Sequence, residues 1–155
     1  MILTEHQLAR WGERIGGEVG PPLFLALSGP LGAGKSVLAR AVARGAGVKG
    51  PLPSPTFNLV FRYQGATADV IHVDLYRIHD PEELKELGWE ELCAGDDVLL
   101  VEWPERAGGR LPSDRWDVEM RAPDGDSELR EVLARKVGSP PPLPSFPMAL
   151  SPDPR

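Results

Sequence analysis

The chain contains few cysteine, histidine and aromatic residues, and it has no excess of positive charge. Its one cysteine, Cys93, cannot form an internal disulfide, and its three histidines are scattered without the spacing of a zinc site. The 17 Lys and Arg residues are outnumbered by 23 Asp and Glu residues, giving a net charge of −6. An autonomous nucleic-acid binder typically has a basic face or tract. We therefore expect a protein of the reducing cytoplasm that does not bind DNA.

Long apolar runs are also missing from the sequence. None approaches the roughly 20 residues that cross a bilayer, and the N-terminus lacks the basic flank and apolar stretch of a signal peptide. We expect a soluble protein without membrane contact. The 155 residues, 41% of them hydrophobic, fit one compact domain, which we assign to residues 1–138. Residues 139–155 include seven prolines and little to bury, which predicts a disordered tail.

The apolar pattern of the first half predicts alternating helices and strands. Thr4 and Gln7 form a capping box before an amphipathic helix, which is expected to end near residues 16–17 or 20–21. A buried strand at 23–27 precedes a glycine-rich loop, and a helix runs from Lys35 to about Gly45. Residues 57–63 and 69–76 read as neighbouring strands.

The second half continues this alternation. A helix capped by Asp80 is expected to reach Gly88, where it either ends or resumes through Leu92. A buried strand is expected at 98–101. Residues 116–120 alternate as an edge strand does, whereas 128–137 fit a helix or a strand equally well. These elements predict an α/β fold with a mostly parallel central sheet, flanking helices and antiparallel additions at the edge.

The glycine-rich loop matches the phosphate-binding pattern G-x-x-x-x-G-K-[ST]. Its residues are Gly29, Pro30, Leu31, Gly32, Ala33, Gly34, Lys35 and Ser36. Glycines let the backbone N–H groups curl around phosphate oxygens, and the following helix points its positive end at the anion. Lys35 would neutralise the β and γ phosphates, and the Ser36 hydroxyl would coordinate Mg²⁺. The motif predicts a site for a nucleoside triphosphate with magnesium.

Two acidic residues follow buried strands and are candidates for the second metal-site residue. Asp74 ends one apolar run and Glu102 ends another, so either can serve as the Walker B carboxylate. The alternative is that each caps a strand end in solvent. Thr56, which follows Pro55, has a hydroxyl that can sense a γ-phosphate or stabilise a turn. Trp103 can stack on a base or pack at the core edge.

Five segments occur in one order along the chain and carry a resemblance to a known family. They are SGPLGAGKS at 28–36, SPTF at 54–57, HVDLYR at 72–77, DPEEL at 80–84 and VEWP at 101–104. Together they resemble the TsaE family, formerly YjeE, the ATPase of bacterial tRNA threonylcarbamoyladenosine synthesis. The similarity extends over roughly residues 4–120, and five ordered motifs are far more specific than the phosphate loop alone.

The resemblance implies a small P-loop NTPase fold, weak ATP hydrolysis, and assembly with the TsaD and TsaB proteins, through which tRNA is reached indirectly. It implies that Lys35 and Ser36 hold phosphate and Mg²⁺, and that Glu102 is the second metal-site residue. It further implies that Lys35, Asp74 and Thr56 serve catalysis, with Trp103 beside the nucleotide. Three positions depart from the family pattern: Pro30, Asn58 and Leu8.

Two other functions are compatible with the loop alone. A P-loop kinase of a small metabolite or nucleoside needs basic groups around the transferred phosphoryl, for which Arg77, Arg106 and Arg110 are candidates, but no lid insertion is evident. A GTP-dependent switch is disfavoured because the chain has no Asn-Lys-x-Asp motif.

Overall fold

The computed structural model describes residues 1–52, 59–66, 68–123 and 128–147. The strands of this part are β1 Ile2–Thr4, β2 Leu23–Ser28, β3 Val60–Tyr63, β4 Val70–Asp74, β5 Val98–Glu102, β6 Arg115–Arg121 and β7 Leu129–Val137. The α-helices are α1 Glu5–Glu18, α2 Lys35–Gly45 and α3 Trp89–Ala94, and 3₁₀ helices occupy Pro81–Leu87 and Pro104–Ala107. None of the helices in these ranges is long and apolar enough to span a membrane.

The seven strands form one sheet in the order β1-β7-β6-β2-β5-β4-β3. The four central strands, β6, β2, β5 and β4, are parallel to one another. The outer strands β1, β7 and β3 join them in antiparallel pairs. This arrangement confirms the predicted α/β fold with a mostly parallel centre and antiparallel additions.

Strands β6 and β7 bear on two of the sequence predictions. The prediction of an edge strand at 116–120 is wrong, because β6 lies between β2 and β7. Its alternation arises from one buried and one partly open face of the sheet, with Val118 and Met120 buried and Glu119 exposed. The undecided segment 128–137 is a strand, which pairs with β6 along most of its length.

Each face of the sheet covers a separate core. Helices α1 and α2 pack on one face, where Trp11 and Leu38 meet Leu25 of β2 and Leu100 of β5. The other face is covered by a cluster that includes Trp89 of α3. Alternate residues of a strand point to opposite faces, so His72, Asp74 and Glu102 lie on the face that α2 covers.

Helix α1 begins with the predicted capping box and continues farther than the first expected end. The Thr4 side chain accepts from the Gln7 backbone N–H, and the Gln7 side chain accepts from that of Thr4. The helix passes through Gly16 and Gly17 and ends at Glu18. The predicted helix after Asp80 is a 3₁₀ helix that leads into α3 at Gly88.

Residues 139–147 contact the domain, which differs from the disorder predicted for 139–155. The Trp116 indole N–H donates to the carbonyl oxygen of Pro141 at 2.8 Å, and the Trp11 indole N–H donates to that of Pro144 at 3.0 Å. The Phe146 ring centroid lies 4.5 Å from that of Trp11. Two indole donors and an apolar face therefore hold a segment whose composition predicted disorder. The boundary at residue 138 remains a prediction.

Candidate functional site

The phosphate-loop motif connects the carboxyl end of β2 to the first residue of α2. Gly29 has a φ of 141°, and a Cβ atom there would lie 2.1 Å from the carbonyl oxygen of Met120, so a larger residue does not fit. Gly34 caps α2 in the left-handed conformation with a φ of 102°. The Pro30 carbonyl accepts from the Ala33 N–H at 3.1 Å. The loop therefore presents the N-terminus of an 11-residue helix to the sheet edge.

Lys35 is buried and held inside the loop. Its side chain is at the first position of α2, and its Nζ donates to the carbonyl oxygen of Gly29 at 2.6 Å. The same Nζ lies 3.8 Å from the ring centroid of Trp103, within cation–π distance. Burial lowers the pKa of Lys35, and the negative charges of Glu102 and Asp74 oppose that shift. The ammonium group thus contacts the loop and Trp103, within the electrostatic influence of two carboxylates.

The two candidate carboxylates lie side by side. Asp74 and Glu102 are register partners at the ends of the parallel strands β4 and β5. Glu102 is only 5% exposed, and its Oε2 lies 2.6 Å from Nε2 of His72. Asp74 is half-buried, and its Oδ1 accepts from the Tyr76 N–H at 2.9 Å. Both residues line the same cavity as residues of the phosphate loop.

The surroundings of Asp74 raise the pKa of its carboxyl group. Burial raises the pKa of Asp74, and the negative charge of Glu102 raises it further. The Tyr76 N–H, His72 and Lys35 act in the opposite direction without cancelling the shift. Such a carboxylate binds a proton more readily than an exposed aspartate, as a general base for a water molecule must.

Trp103 lies at the edge of this site in an uncommon backbone conformation. It is a non-glycine residue with a φ of 59°, between Glu102 and the 3₁₀ helix Pro104–Ala107. Its ring packs against Tyr76 with 5.0 Å between centroids, and Arg106 lies 5.7 Å from the Tyr76 ring. The indole therefore contacts the Lys35 ammonium on the site side and an aromatic surface residue as well.

These groups line one cavity of about 340 Å³. Its lining consists of Leu31, Gly32, Gly34, Lys35, Ser36, Val37, Asp74, Glu102, Trp103 and Arg130. Eight of these ten residues were predicted from the sequence. Gly29 and Ala33 belong to the loop without lining the cavity: Gly29 contributes its carbonyl to Lys35, and Ala33 is buried beneath the loop. Thr56 lies outside the described residues, as do Asn58 and the rest of 53–58.

Arg130 is the charged residue of the cavity that sequence reasoning missed. It is on β7 and is 9% exposed, and its guanidinium donates to the Leu129 carbonyl oxygen at 2.8 Å. A Cβ atom built at Gly34 would lie 3.5 Å from the Arg130 Nε, so the guanidinium lies beside the loop. The sequence signal was weak, because Arg130 falls in the segment that fitted helix and strand equally.

The donor set of the cavity fits a magnesium ion. Mg²⁺ takes hard oxygen ligands and usually keeps several waters and substrate phosphates in its coordination shell. The Ser36 hydroxyl and the Glu102 carboxylate supply such oxygens in one cavity, with the Asp74 carboxylate beside them. Within the described ranges, no group of three or more His, Cys, Asp or Glu side chains forms a protein-only cage. A larger cavity of about 830 Å³ near Trp89 and Cys93 lacks the phosphate loop.

Comparisons with known proteins agree on one family. The model of the family described as "Threonylcarbamoyl adenosine biosynthesis protein TsaE" matches residues 2–132. The tRNA threonylcarbamoyladenosine biosynthesis protein TsaE of Treponema pallidum is 33% identical over 127 residues, covering 81% of this chain and 93% of that protein. The Haemophilus influenzae protein of the same name is 42% identical over 90 residues, covering 58% of this chain and 57% of that protein.

A solved structure has the same fold. The crystal structure of YdiB from Bacillus subtilis is similar with a TM-score of 0.73 at 27% identity, covering 89% of this chain and 84% of that chain. The family model and the Treponema pallidum relative both extend over most of the chain, including the phosphate loop and both carboxylates. The chain therefore belongs to the TsaE family.

Proposed function

We propose that this protein binds ATP with Mg²⁺ in the 340 Å³ cavity and hydrolyses it weakly, as a component of tRNA threonylcarbamoyladenosine biosynthesis. The observation that carries the proposal is the meeting of Lys35 and Ser36, at the start of α2, with the paired carboxylates Asp74 and Glu102. The names of the relatives, tRNA threonylcarbamoyladenosine biosynthesis proteins, support the pathway.

Different residues of the cavity bind the phosphates and the magnesium ion in this proposal. The loop N–H groups, Lys35 and Arg130 bind phosphate oxygens, because they bring the positive charges and donors that a polyphosphate requires. Ser36 and Glu102 hold the magnesium ion. When bound, the ion neutralises charge on the phosphates and orients them.

Two further residues act on the reacting groups in this proposal. Asp74 accepts a proton from the attacking water, and its raised pKa suits that role. Trp103 packs beside the nucleotide. Thr56, outside the described residues, stays a candidate for sensing the γ-phosphate.

A net charge of −6 makes strong tRNA binding by the isolated chain unfavourable, because phosphate neutralisation supplies most non-specific affinity. We therefore propose that tRNA is reached through the partner proteins TsaD and TsaB in the cytoplasm. Within the complex, the partners raise the rate of ATP hydrolysis.

The kinase alternative gains no support from its arginine candidates. Arg106 donates to the Ile78 carbonyl oxygen, and Arg110 donates to Pro81 and pairs with Glu82. These contacts hold both side chains against residues 78–82, and neither arginine is among the lining residues of the cavity. Arg77, the third candidate, is not among the lining residues either.

Calorimetric titration with Mg-ATP tests the nucleotide site. We expect Lys35→Ala to weaken binding by about 10- to 100-fold, since a charged hydrogen bond contributes about 1.5–3 kcal/mol. Lys49→Ala is the matched control: this lysine is exposed and outside the cavity, so its loss should leave affinity unchanged. Equal affinities of the Lys35→Ala variant and the wild type would refute the site.

Co-purification with TsaD and TsaB tests the assembly. The proposal predicts that the three proteins associate in the presence of ATP and that phosphate release is faster than with the isolated chain. Lack of association both with and without ATP would remove the proposed pathway role while leaving the nucleotide site standing.

A further inference from the structure

His72 is a buried polar residue that phosphate binding does not require. It is 4% exposed and lies on β4, two residues before Asp74 and on the face that α2 covers. Within that face, its neighbours Val70 and Leu100 are apolar core residues. A buried imidazole needs a hydrogen-bond partner, and that partner indicates the role of His72. That partner is the carboxylate of Glu102.

The contact between the two side chains is short and enclosed. His72 Nε2 lies 2.6 Å from Glu102 Oε2, and the two side chains are 5% and 6% exposed. An ionised carboxylate has only acceptor sites, so the hydrogen belongs to Nε2, which donates to Oε2. In surroundings that exclude water, such a charge-assisted bond is strong and directional.

This bond limits the orientation of the Glu102 carboxylate. The terminal torsion of a glutamate is otherwise broad, and a carboxylate free to rotate loses entropy when it binds a cation. His72 holds Oε2 from the core side, which leaves Oε1 as the oxygen for a ligand. Asp74, the register partner, is held differently, by the backbone N–H of Tyr76.

We propose that His72 is a positioning residue: its N–H fixes the Glu102 carboxylate in the orientation that holds Mg²⁺. This inference rests on the proposed nucleotide and magnesium site. It assigns a function to a histidine for which the sequence predicted no site role. His72 is not among the residues that line the cavity, so it acts on a ligand only through Glu102.

The test compares ATP affinity with Mg²⁺ and with EDTA, measured by calorimetry in wild type, His72→Gln and His72→Asn. The ratio of the two affinities measures how well the protein recruits the metal. The amide nitrogen of Gln can reach the position of Nε2, whereas that of Asn is too short. We expect Gln to keep the wild-type ratio and Asn to lower it about tenfold, the range found for residues that orient metal ligands.

Metal-free ATP affinity should change less than twofold in both variants, because neither alters the phosphate loop. The electron paramagnetic resonance spectrum of Mn-ATP on the protein gives a second readout, which should change for Asn and not for Gln. Equal ratios for the Gln and Asn variants, or a parallel loss of metal-free binding, would overturn the inference alone. A wild type that binds no ATP under either condition would overturn the proposed function as well.

Discussion

At the scale of single residues, the ionised carboxylate of Asp74 reduces the stability of the fold. Its pKa is raised from an ordinary value of 3.8, mainly by burial, so the folded protein holds this proton more tightly than the unfolded chain does. Ionisation of Asp74 therefore lowers the free energy of unfolding above the raised pKa. This loss of stability disappears as the pH falls toward the ordinary pKa of 3.8.

Asp74→Asn should consequently raise the Tm of the ligand-free protein at pH 7.5. The asparagine oxygen can still accept from the Tyr76 N–H, so the turn is kept. The gain should shrink as the pH is lowered toward 4, which calorimetry over a pH series can measure. Asp96→Asn, at an exposed position, is the control and should change the Tm little at any pH. A lower Tm of Asp74→Asn at pH 7.5 would contradict the prediction.

The residues of the site differ in how far the sequence could predict them. Lys35 and Ser36 were predictable because their motif is contiguous, and Asp74 and Glu102 because each ends a buried strand. The adjacency of the two carboxylates depends on the order of the strands, which local patterns do not contain. Arg130 was not predicted for the same reason: its position beside the loop depends on the place of β7 in the strand order.

At the scale of elements, α1 and α2 pack with their backbones in close contact. A Cβ atom at Gly16 would lie 2.0 Å from the Val42 carbonyl oxygen, and one at Gly45 would lie 2.0 Å from that of Glu13. Helix α2 begins with Lys35 at the end of the phosphate loop. Gly16 and Gly45 therefore permit the close packing of α1 against the helix that follows the loop.

Gly16→Ala should lower the free energy of unfolding by about 2–3 kcal/mol through overpacking, despite the better helix propensity of alanine. Gly17→Ala is the matched control on the same helix, since its Cβ would meet the Gly45 oxygen at 3.4 Å, an ordinary contact. We expect the control to be neutral or slightly stabilising. Urea denaturation measures both variants, and equal stabilities would show that the helices adjust without cost.

The elements were predicted best where a local signal exists. The capping box and apolar spacing located α1, and the loop located α2. Glycines at 16–17 were interpreted as a possible helix end, because the sequence does not show that α2 requires the small size of Gly16. Strand β1, with three residues, is too short for any periodicity, and β7 became recognisable only through its partners β6 and β1.

At the scale of the whole molecule, residues 139–147 connect α1 to the sheet. The segment accepts hydrogen bonds from the indoles of Trp11 on α1 and Trp116 on β6, and Leu143 and Phe146 pack against the core. Composition predicted disorder because prolines are abundant and apolar residues few. Prolines lack an N–H but keep a carbonyl oxygen, so the segment can still accept hydrogen bonds without belonging to the sheet.

Truncation after Gly138 should therefore lower the free energy of unfolding by about 2–4 kcal/mol, the sum expected from two lost indole hydrogen bonds and the exposure of apolar area. Tryptophan emission should shift to longer wavelength as Trp11, only 1% exposed in the full chain, meets water. Because residues 139–147 are not among those lining the cavity, the affinity of the folded truncated protein for Mg-ATP should stay within about twofold.

Truncation after Pro147 is the control, because it removes residues 148–155 and leaves each of these contacts in place. Its stability and emission should match those of the full chain. If both truncations were as stable as the full chain, the contacts of 139–147 would contribute nothing in solution, and the disorder predicted from composition would describe the segment better. If only the shorter chain lost stability, the folded unit would extend past residue 138, with the indole N–H groups fixing its boundary.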